Sequence, residues 1–214
     1  MGRRPRGGQS PPFCMTTQTT PLLLLAAGRS SRMQGRDKLI EDVRGQPLLR
    51  DRAQMALAAG FDVHVALPAP DHPRVAALDG LAVTALFLPA AAEGIGGTLR
   101  AAVAALPPCP RFMIMLADLP DLTADDLRSV LNAASSAPQA LVWRGASGKV
   151  PGHPILCDAA LRPRFAGLAG DDGGRTIMAD VRDKTVLVPL PGDHATRDLD
   201  TQADWAVWRA SPLP

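Results

Sequence analysis

The chain has 214 residues, 46% of them apolar, enough for one substantial hydrophobic core and too many for broad disorder. With 23 Lys and Arg against 21 Asp and Glu, the formal charge of +2 gives no reason to look for nucleic acid, which usually demands a strong basic excess on one face. Three cysteines, Cys14, Cys109 and Cys157, lie far apart without CxxC or Cys/His spacing and read as structural filler.

Residues 1–20 are basic, then rich in Pro, Gly, Ser and Thr, and hold little that packs. They read as a disordered N-terminal tail, with Met15 available as an alternative start, ahead of a single domain over 21–214. Arg3-Arg4 resembles the start of a twin-arginine export signal, but no adequate apolar region follows closely. Leu22–Ala27 is also too short to span a membrane, so the expectation is a cytoplasmic protein without membrane contact.

Apolar runs at Leu22–Ala26, Val63–Leu67, Val83–Leu88, Phe112–Leu116, Leu141–Trp143 and Thr185–Pro189 predict buried strands. Between them lie helical patterns. Leu99, Ala102, Val103 and Leu106 fall at i, i+3, i+4, i+7, as do Leu127, Val130, Leu131 and Ala134. Thr123 with Asp126, and Thr201 with Asp204, have capping-box spacing, the second ahead of a last helix through Trp205 and Trp208. Repeated strand and helix predict an α/β fold: a three-layer α/β/α arrangement around a mostly parallel sheet.

In a doubly wound sheet, ligands bind beyond the carboxyl ends of the strands. The stretch LLLLAAGRSSRMQGRDKL, residues 22–39, occupies that position after the first strand. Ala26-Ala27-Gly28 keeps side chains small, so backbone N–H groups can approach an anion, and Arg32 and Lys38 add positive charge within the same loop. The loop suits a triphosphate, yet it holds neither GxxxxGK[ST] nor GxGxxG. Asp118, in FMIMLADLPDL, follows a wholly apolar strand at the same sheet edge, where it serves either a cation or a turn. Asp200, in RDLDTQADW, read alone is the lead-in to a helix.

LAAGRSSRMQGRDKL resembles the LAAGxSxRMG…K signature of the MobA-like nucleotidyltransferases, and specifically the molybdenum cofactor cytidylyltransferase branch. The resemblance implies a Rossmann-like fold of the nucleotide-diphospho-sugar transferase type. It also implies a nucleotide site at Leu25, Ala26, Ala27, Gly28, Arg32 and Lys38. Gln34 departs from the pattern, standing where the family usually has glycine. LADLP is similar to LADxP, whose aspartate coordinates Mg²⁺, and RDLDTQADW resembles DIDTxxD. The implied metal ligands are therefore Asp118 and Asp200, with Asp198 as a neighbour. EGIGGTLRAAV resembles EGMGxSL and adds Gly94 and Gly96 to the nucleotide site, although such glycines also serve as turn residues. GKVPGHP and GDDGGR resemble GxxGxP and GDxGxR, which lie on the acceptor side. They nominate Lys149, His153, Asp171 and Arg175 for the second substrate, residues that suit an exposed polar loop equally well. His64, alternating within a strand, reads as structural.

By this resemblance the chain is a Mg²⁺-dependent enzyme that joins CTP to the terminal phosphate of the molybdopterin cofactor and releases pyrophosphate. Arg32, Lys38 and Asp118 would be catalytic. CTP and the pterin cofactor are the small-molecule partners, with a recipient molybdoenzyme or its chaperone as a further one. A phosphate monoester, with a second pKa near ~6, is already an anionic nucleophile at neutral pH, so no general base is expected. The rival readings are a guanylyltransferase, whose loop typically reads LAGG, a sugar- or polyol-phosphate nucleotidyltransferase, and a non-catalytic nucleotide- or cofactor-binding module.

Overall fold

The computed structural model describes residues 19–211; the expected N-terminal tail, apart from Thr19 and Thr20, lies outside them. In chain order the elements are β1 (Pro21–Leu25), β2 (Asp42–Val43), β3 (Gln46–Pro47), α1 (Leu48–Ala58), β4 (Asp62–Leu67), β5 (Thr84–Phe87), α2 (Ile95–Ala105) and β6 (Arg111–Leu116). They continue with α3 (Ala124–Ser136), β7 (Val142–Ser147), β8 (Val150–Asp158), α4 (Arg162–Phe165), α5 (Arg175–Asp180), β9 (Thr185–Pro189) and α6 (Gln202–Ala210).

Seven strands form one sheet in the order β5-β4-β1-β6-β8-β7-β9. All neighbours are parallel except β8, which runs antiparallel to both β6 and β7. Successive side chains of a strand face opposite ways, and β1 shows the result. Leu22 and Leu24 join the core under α1, α3 and α6, while Leu23 joins the core under α2, α4 and α5. This is the expected three-layer architecture. Among the described residues no helix is long and apolar enough to cross a membrane.

The chain leaves β1 toward β4 and β5 on one side, then returns to β6 on the other side of β1. The order therefore reverses between β1 and β6, which opens a crevice at their carboxyl ends. Both capping boxes form: Thr123 Oγ1 accepts from the Asp126 N–H at 3.2 Å, and Thr201 Oγ1 accepts from the Asp204 N–H at 3.2 Å.

Two expectations need correction. The segment around GKVPGHP is not a loop but part of the nine-residue strand β8. Its prolines sit where the ladders tolerate a missing donor: β6 pairs only as far as Ile155, and pairing with β7 shifts register between Arg144 and Ala146. Strand-helix alternation also fails between β7 and β8, where the chain turns back directly into a strand inserted against the prevailing direction between β6 and β7.

Candidate active site

Three separate stretches converge on the β1/β6 crevice. The loop after β1 brings Lys38, the end of β6 brings Asp118, and the segment before α6 brings Asp200. Lys38 Nζ donates at 2.5 Å to Asp118 Oδ2 and at 2.5 Å to Asp200 Oδ1, and Arg32 pairs with the other oxygen of Asp200. Burial alone would lower the Lys38 pKa; Asp118 and Asp200 outweigh it and raise the value, so the ammonium stays charged. Burial would likewise raise Asp200, but Lys38 and Arg32 hold its carboxyl below the usual range.

Each acid is fixed by packing that reaches beyond its own motif. Arg52, only 2% exposed, donates to the carbonyls of Leu119 and Leu122, bracing the turn just past Asp118. Trp208 Nε1 donates to Asp121 Oδ1 at 2.8 Å, which ties α6 to that turn. The Leu199 N–H donates to the Asp118 carbonyl at 3.1 Å, so the segment 198–200 lies directly beside it.

Asp118, Asp198 and Asp200 each offer a carboxylate oxygen within 4.8 Å of the others. Asp118 Oδ1 is buried and has no hydrogen-bond partner. Burial, followed by repulsion from Asp200 and Asp118, raises the pKa of Asp198. A buried acceptor without a donor inside a repelling acidic cluster fits a hard divalent cation that takes oxygen ligands.

The loop after β1 is held from beneath. Arg74, absent from the sequence reading, reaches it from the segment after β4 and bonds to Asp37, Ser30 and the carbonyls of Ala26 and Gly28. Gln34 takes a left-handed conformation with φ 53°, followed by Gly35 at φ 86°. A glycine, which the resembled signature has at this position, suits that conformation, because a side chain there is strained by about 1 kcal/mol. Gln34→Gly is expected to stabilise the protein by roughly 0.5–1 kcal/mol, strain relief exceeding the added chain entropy, as chemical denaturation would measure.

Two cavities open at this edge of the sheet. The larger, about 1140 Å³, is lined by Leu25, Ala26, Ala27, Gly28, Lys38, Gly94 and Asp118, all expected at the nucleotide site. A Cβ on Gly28 would meet nothing within 4 Å, so that glycine faces open space at the wall of this cavity. Arg32 does not line it but lies on Asp200. Gly96 lies elsewhere too: its Cβ would come within 2.6 Å of the Ala169 carbonyl, so its role in the fold is close packing of the 169–170 turn on α2.

The smaller cavity, about 580 Å³, is lined by Lys149, His153 and Arg175, with Arg144 and Arg182 as further cations over a floor that includes Ile114, Ile155 and Phe165. Among the described residues none of these four cations is paired with a carboxylate. Asp171, expected with the acceptor residues, is instead on the wall of the larger cavity, because the 170–171 turn packs against Gly94 at the start of α2. Leu25, Ile95 and Leu116 belong to both walls, so the cavities adjoin.

His153 has its pKa pushed down to about 4, by burial first and then by Arg144. The folded chain keeps it neutral, whereas the unfolded chain protonates it near 6.5. Stability is therefore fully present above pH ~6.5 and is lost as pH falls from there toward ~4, by order of 1–3 kcal/mol. Melting temperatures across that window should fall less steeply for His153→Gln than for the unaltered protein. His64, by contrast, is structural as expected, buried in β4 with Nε2 2.9 Å from Asp62. Cys157 is buried and its thiol is pushed up to about 12 by burial, as befits packing rather than reactivity.

The family model described as the MobA-like NTP transferase domain matches residues 22–186. Nicotine blue oxidoreductase of Paenarthrobacter nicotinovorans is 26% identical over 191 residues, covering 84% of this chain and 91% of that protein. Among solved structures, Rv0371c from Mycobacterium tuberculosis H37Rv is similar with TM-score 0.75 and 25% identity, over 90% of this chain and 98% of the other. Its complex with manganese has TM-score 0.74 at 22% identity, covering 91% of this chain and all of that one, 100%. A CMP:2-keto-3-deoxy-manno-octonic acid synthetase complexed with CTP shares the fold, with TM-score 0.67, 16% identity and coverage of 90% and 97%.

Proposed function

The chain belongs to the MobA-like NTP transferase family, and from that premise we propose that it transfers CMP from CTP to the terminal phosphate of the molybdopterin cofactor, releasing pyrophosphate. One observation carries the reading. A large cavity walled by a small-residue loop adjoins a smaller, apolar-floored cationic cavity, and Lys38 and Asp118 lie on the wall of the larger, with Asp200 bonded to Lys38 beside them. Two substrates, one a triphosphate and the other an anion with an apolar body, fit that arrangement.

The chemistry asked of the protein is alignment and charge. Among the described residues, no acceptor of the protein takes the backbone N–H groups of Ala27, Gly28, Arg29 and Ser30, which leaves them for phosphate oxygens. Lys38 carries positive charge to the wall of the same cavity, with Arg32 set behind it on Asp200, and together they offset the charge that gathers as the acceptor approaches. The acceptor phosphate attacks the α-phosphorus, the bond to the β-phosphate oxygen breaks, and pyrophosphate leaves with the electron pair. Because the attacking group is anionic at neutral pH, neutral His153 serves to hold the acceptor rather than to take a proton. Asp118 and Asp200, with Asp198 beside them, would hold Mg²⁺, which would supply positive charge to offset that of the phosphates. Cytidine as the base is supported by Leu25-Ala26-Ala27-Gly28 in place of LAGG, and by a fold shared with a synthetase crystallised with CTP.

A second reading follows from the relative named as an oxidoreductase: a redox reaction on a small molecule in the smaller cavity. It leaves the Lys38-Asp118-Asp200 cluster without a task. Incubation with CTP labelled at its α-phosphate separates the two. The transferase reading expects label in the pterin product; consumption of NADH or NADPH, with no label transferred, would support the second.

A further inference from the structure

Arg74 is 2% exposed, and its guanidinium is fully engaged at the base of the large cavity. Nε donates to Asp37 Oδ2 at 2.8 Å and Nη2 to Asp37 Oδ1 at 2.7 Å, a two-pronged pair. Nη1 donates to the Gly28 carbonyl at 2.9 Å and to the Ala26 carbonyl, and Nη2 reaches Ser30 Oγ at 3.3 Å. The network continues to the lysine. Ser30 Oγ accepts the Lys38 N–H at 3.1 Å, and Asp37 Oδ1 accepts the Leu39 N–H at 3.1 Å.

The consequence is directional. A carbonyl turned down onto Arg74 cannot face a phosphate, where it would repel the ligand, and holding the Ala26 and Gly28 carbonyls there keeps both oxygens off the anion. At the other end of the loop, the network fixes the backbone from which Lys38 extends to Asp118 and Asp200. A surface salt bridge would not do this: the Arg74 side chain is 3% exposed and joins residues 46 and 37 positions away in sequence.

We propose that Arg74 is a positioning residue for nucleotide transfer, which through Asp37, Ser30 and two backbone carbonyls sets the phosphate loop and Lys38 in register with the triphosphate. The inference rests on nucleotide binding in the large cavity, whatever the base or acceptor. A lysine at this position keeps the charge but not the fork, and a methionine keeps the length but neither.

The test is calorimetric titration of CTP, GTP, ATP and UTP with Mg²⁺ into the full chain and its Arg74→Lys and Arg74→Met variants, alongside melting curves and steady-state kinetics. The expected result is a rise of roughly ten-fold or more in the dissociation constant of the preferred nucleotide for both variants, with the KM of the acceptor unchanged. Asp37→Asn, which keeps the shape of the partner, is expected to weaken the same nucleotide in the same direction, and it supplies the readout should an Arg74 variant fail to fold. Lower melting temperatures with nucleotide affinity intact in the folded variants would overturn the proposal, leaving Arg74 a purely structural residue. Failure of the unaltered protein to bind any of the four nucleotides would instead defeat the nucleotide reading, and the role of Arg74 with it.

Discussion

Asp118→Asn is expected to lower nucleotidyl transfer by roughly 10³-fold while changing folding stability by no more than about 1 kcal/mol. Asparagine keeps the size of the side chain and an oxygen toward Lys38. It removes the negative charge from the place where a buried carboxylate oxygen has no donor of its own. Stability should hold because the surrounding turn is carried by other groups, Arg52 on the Leu119 and Leu122 carbonyls and Asp121 on Trp208. Single-turnover rates and melting curves on the same preparation check both halves. Wild-type turnover would remove Asp118 from the chemistry.

Lys38→Met should move two measurements in opposite directions. In the free protein the ammonium occupies one oxygen of Asp118 and one of Asp200, so it competes with a cation for the same cluster. Without it, Mn²⁺ binding in the absence of nucleotide is expected to tighten, by roughly ten-fold, as two charge-assisted contacts are freed. Turnover is expected to fall by roughly 10²–10³-fold, since the positive charge that should meet the phosphates is gone. Paramagnetic titration with Mn²⁺ and kinetics at saturating metal separate the two effects. A parallel loss of both would mean that Lys38 supports the cluster rather than competing with the cation.

Much of this was readable in the chain because it is written locally. Apolar runs marked six strands of the large sheet, and the two Thr-x-x-Asp spacings marked the starts of α3 and α6. The strand at Thr185–Pro189 lies where its run predicted. The small-residue loop after β1 and Asp118 stand out beside clear strand ends, whereas Asp200 read alone is a helix lead-in and is nominated for a metal only by the resemblance of its motif. What escaped was written across distance. Strand β8 was hidden by Pro151, Gly152 and Pro154, which read as a turn until the broken ladders on either side explain them. Gly152 is there because a Cβ would come within 2.0 Å of the Ala195 carbonyl, a neighbour that no spacing rule reveals. Arg74 and Arg52 look like ordinary surface arginines in a linear reading. Their burial follows only once β4 and α1 have brought them under loops that begin tens of residues away. Asp171 was misplaced for a related reason: its motif lies beside Arg175 in sequence, but a turn sends the two toward different cavities.

The most direct test of the account is pyrophosphate release by the purified protein with Mg²⁺ and molybdopterin, comparing CTP, GTP, ATP and UTP in parallel. The account predicts release with CTP, dependent on the pterin and lost in Asp118→Asn. Release with GTP alone would contradict the cytidylyl assignment, and silence with all four would contradict the transfer reaction to this acceptor.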